Sequence, residues 1–338
     1  MKSSHVTLKD IARILELSPS TVSRALKDHP DINEETKKLV KTFAEKVNYR
    51  PNALALSLRR QKTNTIGLII PEIVHHFFSS VISGIEDLAY GEGYNVMICQ
   101  SNENYQREVI DTQALIDHRV DGILVSVSKT TRDFSHLKNA YENGIPMVFF
   151  DRICEDLQTD RVITDDLKGA NIATSHLIEK GCTKILHLSA PQHLVIGKQR
   201  KEGYIQALNE NGIEVDEELI VKCDTRDYVF SMQEHLLKLI KEKHITGIFG
   251  VNDSTAIAVM QVLQSAGYSI PEDIKVIGFG DGPNANIAYP PLSTVEQKGY
   301  ETGREAMRLL LQRLENPGIE INFSTKVLTP NLKQRQST

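Results

Sequence analysis

At 338 residues the chain can build two or three domains with cores of their own. Its 40% hydrophobic and 25% charged residues exclude a disordered chain, and no run of about 18 apolar residues exists to make a bilayer span. The net charge of −5 is uneven: residues 1–62 hold 13 Lys and Arg against 7 Asp and Glu, which leaves +6 there and −11 on the remainder, so that only this small head suits a polyanion.

The opening MKSSHVTLKD lacks the apolar stretch of a secretory leader, so a cytoplasmic protein is expected. Thr7 is suited to cap a first helix, with Asp10 in its first turn and Ile11, Ala12, Ile14 and Leu15 as its apolar face. Ser18 can cap a second helix, with Pro19 at its first position. That helix turns Val22 and Leu26 inward and leaves Ser20, Thr21, Ser23 and Arg24 outward. Two short helices joined by a tight turn make a helix-turn-helix, whose second helix enters the major groove of DNA. Arg24 is the natural base reader, because its fork matches the acceptor edge of guanine. Ser18, Thr21 and the helix N-termini suit phosphates.

A third helix follows, capped by Asn33, with Thr36, Leu39, Val40, Phe43, Ala44 and Val47 as its stripe. Pro51 ends it. Residues 52–60 then offer a short apolar and basic segment that becomes helical only when something buries it.

From residue 63 strands and helices alternate. Strands are expected at 65–70, 94–100, 122–127 and 147–150, with helices near 77–89, 105–118 and 134–143. A second series places strands at 161–164, 184–188, 246–250 and 274–279, and helices near 167–180, 197–211, 229–242 and 254–266. Repeated βαβ units predict parallel sheets covered on both faces. A strand at 293–296, a helix at 300–314 and a strand at 323–328 are expected to return to the first unit. Two such units enclose a cleft, and ligands collect at the carboxyl ends of the strands. The residues just beyond those ends are Phe77 and Phe78, Asp151 and Arg152, Asn252 and Asp253, Asp281 and Gln297; Arg200 opens a helix nearby. Singly, each is a loop cap or a surface charge. Their equivalent places in both units favour a site.

The order T-L-x-D-I-A, S-x-S-T-V-S-R-A-L and N-Y-x-P-N-A-L-A-x-S-L resembles the LacI/GalR (lactose-repressor) family of bacterial transcription regulators, and the body follows the family's plan to about residue 330. The fold implied is an all-α helix-turn-helix head (1–50), a hinge helix and linker (51–62), and an α/β body (63–330) of periplasmic-binding-protein type. Within the body, the first subdomain is expected at about 63–162 plus 293–328 and the second at about 163–290. The resemblance implies a homodimer on a pseudo-palindromic duplex operator, with two hinge helices in the minor groove and Leu58 wedged between base steps. It assigns backbone contacts to Thr7, Asn33, Tyr49 and Asn52, places Ala53 in the same hinge, and gives operator preference to Pro19 and Ser20 together with Arg24. Pro19 has no donor, so readout there is steric.

In the body the resemblance implies that Phe78, Asp151, Arg200, Asn252 and Gln297 line an effector cleft for a sugar or sugar derivative. One departure stands out. Where many members carry two consecutive acidic or amide residues, this chain has Gly280-Asp281, which favours a larger or differently substituted ligand.

Other chemistries find less support. The Gly278–Gly282 run lacks the third spaced glycine of a nucleotide loop, and residues 284–289 do not read as the start of an amphipathic helix. No HExxH, GxSxG or P-loop occurs, and His75-His76 has no third ligand at helical spacing. Cys99, Cys154, Cys182 and Cys223 make no CxxC or zinc pattern. No cofactor, metal or catalysis is expected. The alternatives are a solute-binding protein, or a sugar-processing enzyme with a DNA-binding head.

Overall fold

Among the described residues of the N-terminal unit there are three capped helices: α1 (Leu8–Ile14), α2 (Pro19–Ala25) and α3 (Glu34–Lys46). The computed structural model describes residues 6–49, 62–316 and 322–338. The chain divides into two compact units, Met1–Thr63 and Asn64–Thr338. In the first, Ile11, Ala12, Val22, Ala25, Val40 and Ala44 form the buried centre, with Leu8, Leu15, Leu26 and Phe43 packed around it. Ile14 and Leu39, expected on the inner faces, are 56% and 52% exposed. Each lies about 100° around its helix from the middle of the stripe, too far to reach the core.

The second unit holds two six-stranded sheets. The first runs in the order β11-β5-β4-β3-β1-β2, from β1 (Thr65–Ile70), β2 (Asn95–Gln100), β3 (Gly122–Val125), β4 (Met147–Phe150), β5 (Asp160–Thr164) and β11 (Thr325–Leu328), and all its pairings are parallel. The second runs β12-β10-β9-β8-β6-β7, from β6 (Ile185–Ser189), β7 (Ile220–Lys222), β8 (Gly247–Gly250), β9 (Lys275–Gly280), β10 (Ser293–Glu296) and β12 (Asn331–Lys333). Only β12 is antiparallel in that sheet.

Helices cover both sheets. On the first subdomain they are α4 (His76–Gly91), α5 (Tyr105–Asp117), α6 (Ser135–Glu142) and α13 (Gly299–Glu315). On the second they are α7 (Asp166–Glu179), α8 (Val195–Glu210), α9 (Arg226–Ser231), α10 (Gln233–Lys243), α11 (Asp253–Ser265) and α12 (Pro283–Ile287). The helices cross closely where glycine permits. A Cβ on Gly303 would lie 2.1 Å from the Val81 carbonyl oxygen, and one on Gly203 would lie 2.1 Å from that of Leu167.

Five expectations are corrected. The strand near 161–164 belongs to the first sheet: its Asp160 carboxylate binds Arg313 of α13 (2.6 Å) and the Ser324 amide (2.8 Å), which ties it beside β11. The 293–296 strand belongs to the second sheet, where Ser293 pairs with Ile277 of β9. The helix expected over 229–242 is broken at Met232 into α9 and α10. Residues 283–287 form one helical turn, with Pro283 at its first position where a missing N–H costs nothing. The body also continues past residue 330. Ser337 is buried, its hydroxyl donates to the Val276 carbonyl (2.6 Å), and its own carbonyl accepts from the Val276 amide (2.9 Å).

The chain passes between the subdomains three times: from β5 to α7, from β10 to α13, and from β11 to β12. The first and third passages touch, because the Asp165 amide donates to the Leu328 carbonyl (3.0 Å).

Candidate functional site

In the head, side-chain oxygens fix each helix start. Thr7 and Asp10 form a reciprocal capping box at α1, Ser18 Oγ accepts from the Thr21 amide (3.1 Å) at α2, and Asn33 Oδ1 accepts from the Thr36 amide (2.8 Å) at α3. The Ser18 hydroxyl also meets those of Ser20 (2.7 Å) and Thr21 (2.8 Å), so α2 begins with an exposed hydroxyl cluster behind Pro19. Arg24 projects outward, its side chain 58% exposed, with Asp31 at the 4.0 Å limit of an ion pair. Ser23 is half-buried beside it, and Tyr49 packs against the head's core. Asn52, Ala53 and Leu58 lie outside the described residues.

In the body, five of the residues anticipated from sequence gather between the two sheets. Asp151 follows β4, is buried, and takes a left-handed backbone (φ 58°), a strained conformation for a non-glycine residue. Burial raises its pKa, while the guanidinium groups of Arg152 and Arg200 pull it back down. Arg200 reaches in from α8. It donates to Asp166 Oδ1 (2.7 Å) and the Val251 carbonyl (2.5 Å), and its guanidinium lies 3.8 Å from the centre of the Phe279 ring. Asn252 follows Val251; its side-chain oxygen caps α11 through the Thr255 amide (2.8 Å), and its NH2 donates to the Asp224 carbonyl (3.0 Å). Phe78 is buried at the start of α4, edge-on to the half-buried Phe77, with Arg152 over its ring at 5.8 Å.

The other three candidates form a separate group. Both Asp253 oxygens are taken, Oδ1 by the Thr294 hydroxyl (2.5 Å) and Oδ2 by the Gly282 amide (2.9 Å), so this residue braces β9, β10 and α12. Asp281 accepts from Arg335 (2.6 Å), and the Gln297 amide donates to the Gly280 carbonyl (3.3 Å). The sequence-based reading of Asp253 as a ligand contact is therefore replaced by a bracing role. Asp281 keeps one oxygen outside its ion pair with the tail.

Several site residues escaped the sequence. Glu103, before α5, holds the Arg152 guanidinium through both oxygens (2.8 Å each) and also accepts from the Lys129 amide (2.7 Å). Lys129 reaches across to Asp224 of the second subdomain (3.7 Å), and its carbonyl accepts from His193 (2.7 Å). Glu108 is fully buried behind the same loop, accepting from the Ser128 amide (2.5 Å), the Thr131 hydroxyl (2.9 Å) and His136 (3.0 Å). Burial lowers the pKa of His193, and the charges of Arg132, Lys222 and Arg152 push the same way against its hydrogen bond to Lys129.

Burial pushes the Asp166 carboxyl up to about 6, although Arg200 opposes the rise. A carboxyl whose pKa is raised on folding holds its proton more tightly in the native state. Its contribution to stability is present at low pH and is lost as pH climbs through about 6. Asp166→Asn should therefore flatten the body's stability between pH 4 and 7. Urea midpoints measured across that range on both proteins check this; identical slopes would rule it out.

The model described as "Bacterial regulatory proteins, lacI family" matches residues 7–52, and that of the periplasmic binding protein-like domain matches residues 174–338. The HTH-type transcriptional repressor PurR of Vibrio atlanticus is 35% identical over 318 residues, 92% of each chain. The transcriptional regulator CelR in complex with cellobiose superposes with a TM-score of 0.75 at 27% identity, covering 98% of this chain and 99% of that one. The lac repressor dimer bound to operator and an anti-inducer shares the fold, with a TM-score of 0.83 at 22% identity over 99% of both chains. A capped helix-turn-helix joined to two parallel-sheet subdomains, together with a relative of this identity and coverage, makes the chain a member of the LacI family of bacterial transcriptional regulators.

Proposed function

We propose that the protein is a cytoplasmic transcriptional repressor that acts as a homodimer on a pseudo-palindromic duplex and is controlled by a small effector, a sugar or sugar derivative, held between its subdomains. The observation that carries this reading is the polar set of buried Asp151, Asp166 and Arg200 with half-buried Arg152, which stands between two sheets joined by three chain crossings. Such a set offers both donors and acceptors to hydroxyls, while Phe77 and Phe78 offer apolar faces. The protein acts by binding rather than by catalysis. Effector binding changes the angle between the subdomains, and the hinge segment carries that change to the head.

The deciding experiment is selection from random duplexes at several salt concentrations, with and without a panel of sugars and nucleobases. A selected palindrome whose affinity shifts with one compound supports the reading. Binding that depends on salt alone, with no sequence selected, would overturn it. On the selected duplex, Arg24→Ala should cost about 1–3 kcal/mol and relax preference at a single base pair. An equal loss on every sequence would reduce Arg24 to a phosphate contact. Leu58→Ala should weaken the duplex complex and leave effector binding intact.

A further inference from the structure

At one end of the cleft a cavity of about 190 Å³ opens between the subdomains. Arg132, Phe134 and Arg152 wall it from the first subdomain, and His193, Leu194 and Val195 wall it from the second. Its charge is one-sided. Arg132 and Lys222 carry no ion pair among the described residues, and both act on His193. The nearby carboxylates are already committed: Glu103 spends both oxygens on Arg152, and Asp224 faces Lys129. Arg152 keeps its Nε–H buried and without a hydrogen-bond partner; the Asp151 carboxylate faces it at 3.9 Å, beyond hydrogen-bond reach. The wall at Leu194 and Val195 is also the start of the 16-residue α8, which has no side-chain cap, so its first amides add partial positive charge.

Exposed cations in excess at a partly enclosed cavity set up a local positive field that draws an anion to it. We propose that this corner binds an acidic group of the effector, a phosphate or a carboxylate, so that the effector is an anionic sugar derivative rather than a neutral sugar. The inference rests on the cleft being the effector site. The phosphate or carboxylate accepts charge-assisted hydrogen bonds from Arg132, Arg152 Nε and the α8 amides, while the sugar hydroxyls extend toward Asp151 and Arg200.

The test uses the full chain and matched probes. Inorganic phosphate is compared with chloride at equal ionic strength by thermal unfolding. Calorimetry then compares glucose with glucose 6-phosphate and glucuronate, and ribose with ribose 5-phosphate. Phosphate should raise the melting temperature beyond chloride, and at least one acidic sugar should bind more tightly than its neutral parent. Arg132→Gln and Lys222→Gln change exposed side chains without an ion pair, so the fold tolerates them; Arg132→Gln, which removes a direct contact, should weaken phosphate binding by about tenfold, and Lys222→Gln, which removes only a nearby charge, by about twofold. Phosphate held at the head would be untouched by either variant. Whether the uronate or the sugar phosphate binds more tightly identifies the acidic group. The proposal is overturned if phosphate stabilises no more than chloride, if both variants bind phosphate like the parent, or if neutral sugars bind best. A neutral sugar that shifts operator affinity would sink the anionic corner and leave the regulator standing. Failure to select any operator would sink the regulator and leave the phosphate measurement valid.

Discussion

Arg200→Met is expected to destabilise the body by about 3–5 kcal/mol, because it strands a buried carboxylate. Asp166 is 2% exposed, and its charge is met chiefly by the Arg200 guanidinium at 2.7 Å. The same substitution leaves the Val251 carbonyl without its donor and removes the cation from the face of Phe279. Lysine would not rescue the site, since a single ammonium cannot reach the carboxylate and the carbonyl in one plane as the guanidinium does. Asp166→Asn is the milder lesion, because an amide oxygen still accepts from Arg200. Combining Arg200→Met with Asp166→Asn should recover part of the loss. Urea unfolding of the four proteins measures this directly. A strictly additive double variant would mean that the two residues do not act as a pair.

Gly303→Ala is the second large effect, at about 3 kcal/mol, from overpacking where α13 crosses α4. The added Cβ would lie 2.1 Å from the Val81 carbonyl oxygen, which is backbone and cannot rotate aside. Gly84 mirrors it, with the Tyr300 carbonyl oxygen 2.1 Å from its own missing Cβ. The helices must separate to admit either methyl group, and α4 opens with Phe77 and Phe78, so the cleft should change as well. Gly91 is the control. It ends the same helix with nothing within 4 Å of its Cβ position, and Gly91→Ala should be neutral or slightly stabilising. Thermal unfolding of the three variants separates the outcomes. Equal melting temperatures would show that the crossing is loose.

Local signals carried much of this structure. Thr7, Ser18 and Asn33 stand at helix starts because a short oxygen side chain there satisfies an otherwise unpaired amide, and that rule is written in the residue itself. The βαβ alternation is equally local, since each apolar run is a buried strand. Sheet membership is not local. Residues 160–164 and 293–296 read alike as short strands, and only Asp160 with Arg313, or Thr294 with Asp253, decides which sheet each joins. The same distinction divides the cleft. Asp151 and Arg200 could be found by their places after a strand and in a helix. Glu103, Asp166, Lys129 and Asp224 matter only through partners 26 to 95 residues away, and no pattern in the chain announces those pairs. Asp253 shows the reverse error: it occupies the place of a ligand contact and spends both oxygens inside its own subdomain.

The three crossings also govern how the body is assembled during synthesis. The first sheet needs β11, and the second needs β12 and the segment that holds Ser337 against Val276. Neither subdomain is a continuous stretch of sequence, so neither can finish folding while the other is still being made. A nascent chain that has emerged as far as residue 296 has most of both sheets but lacks α13 and the edge strand beside β5. Its exposed Asp160 and the uncovered face of α4 must be kept from other chains until residues 299–333 arrive. Both subdomains therefore close almost together, once residues 299–337 have emerged, and a truncation in α13 should damage the first sheet as severely as the second.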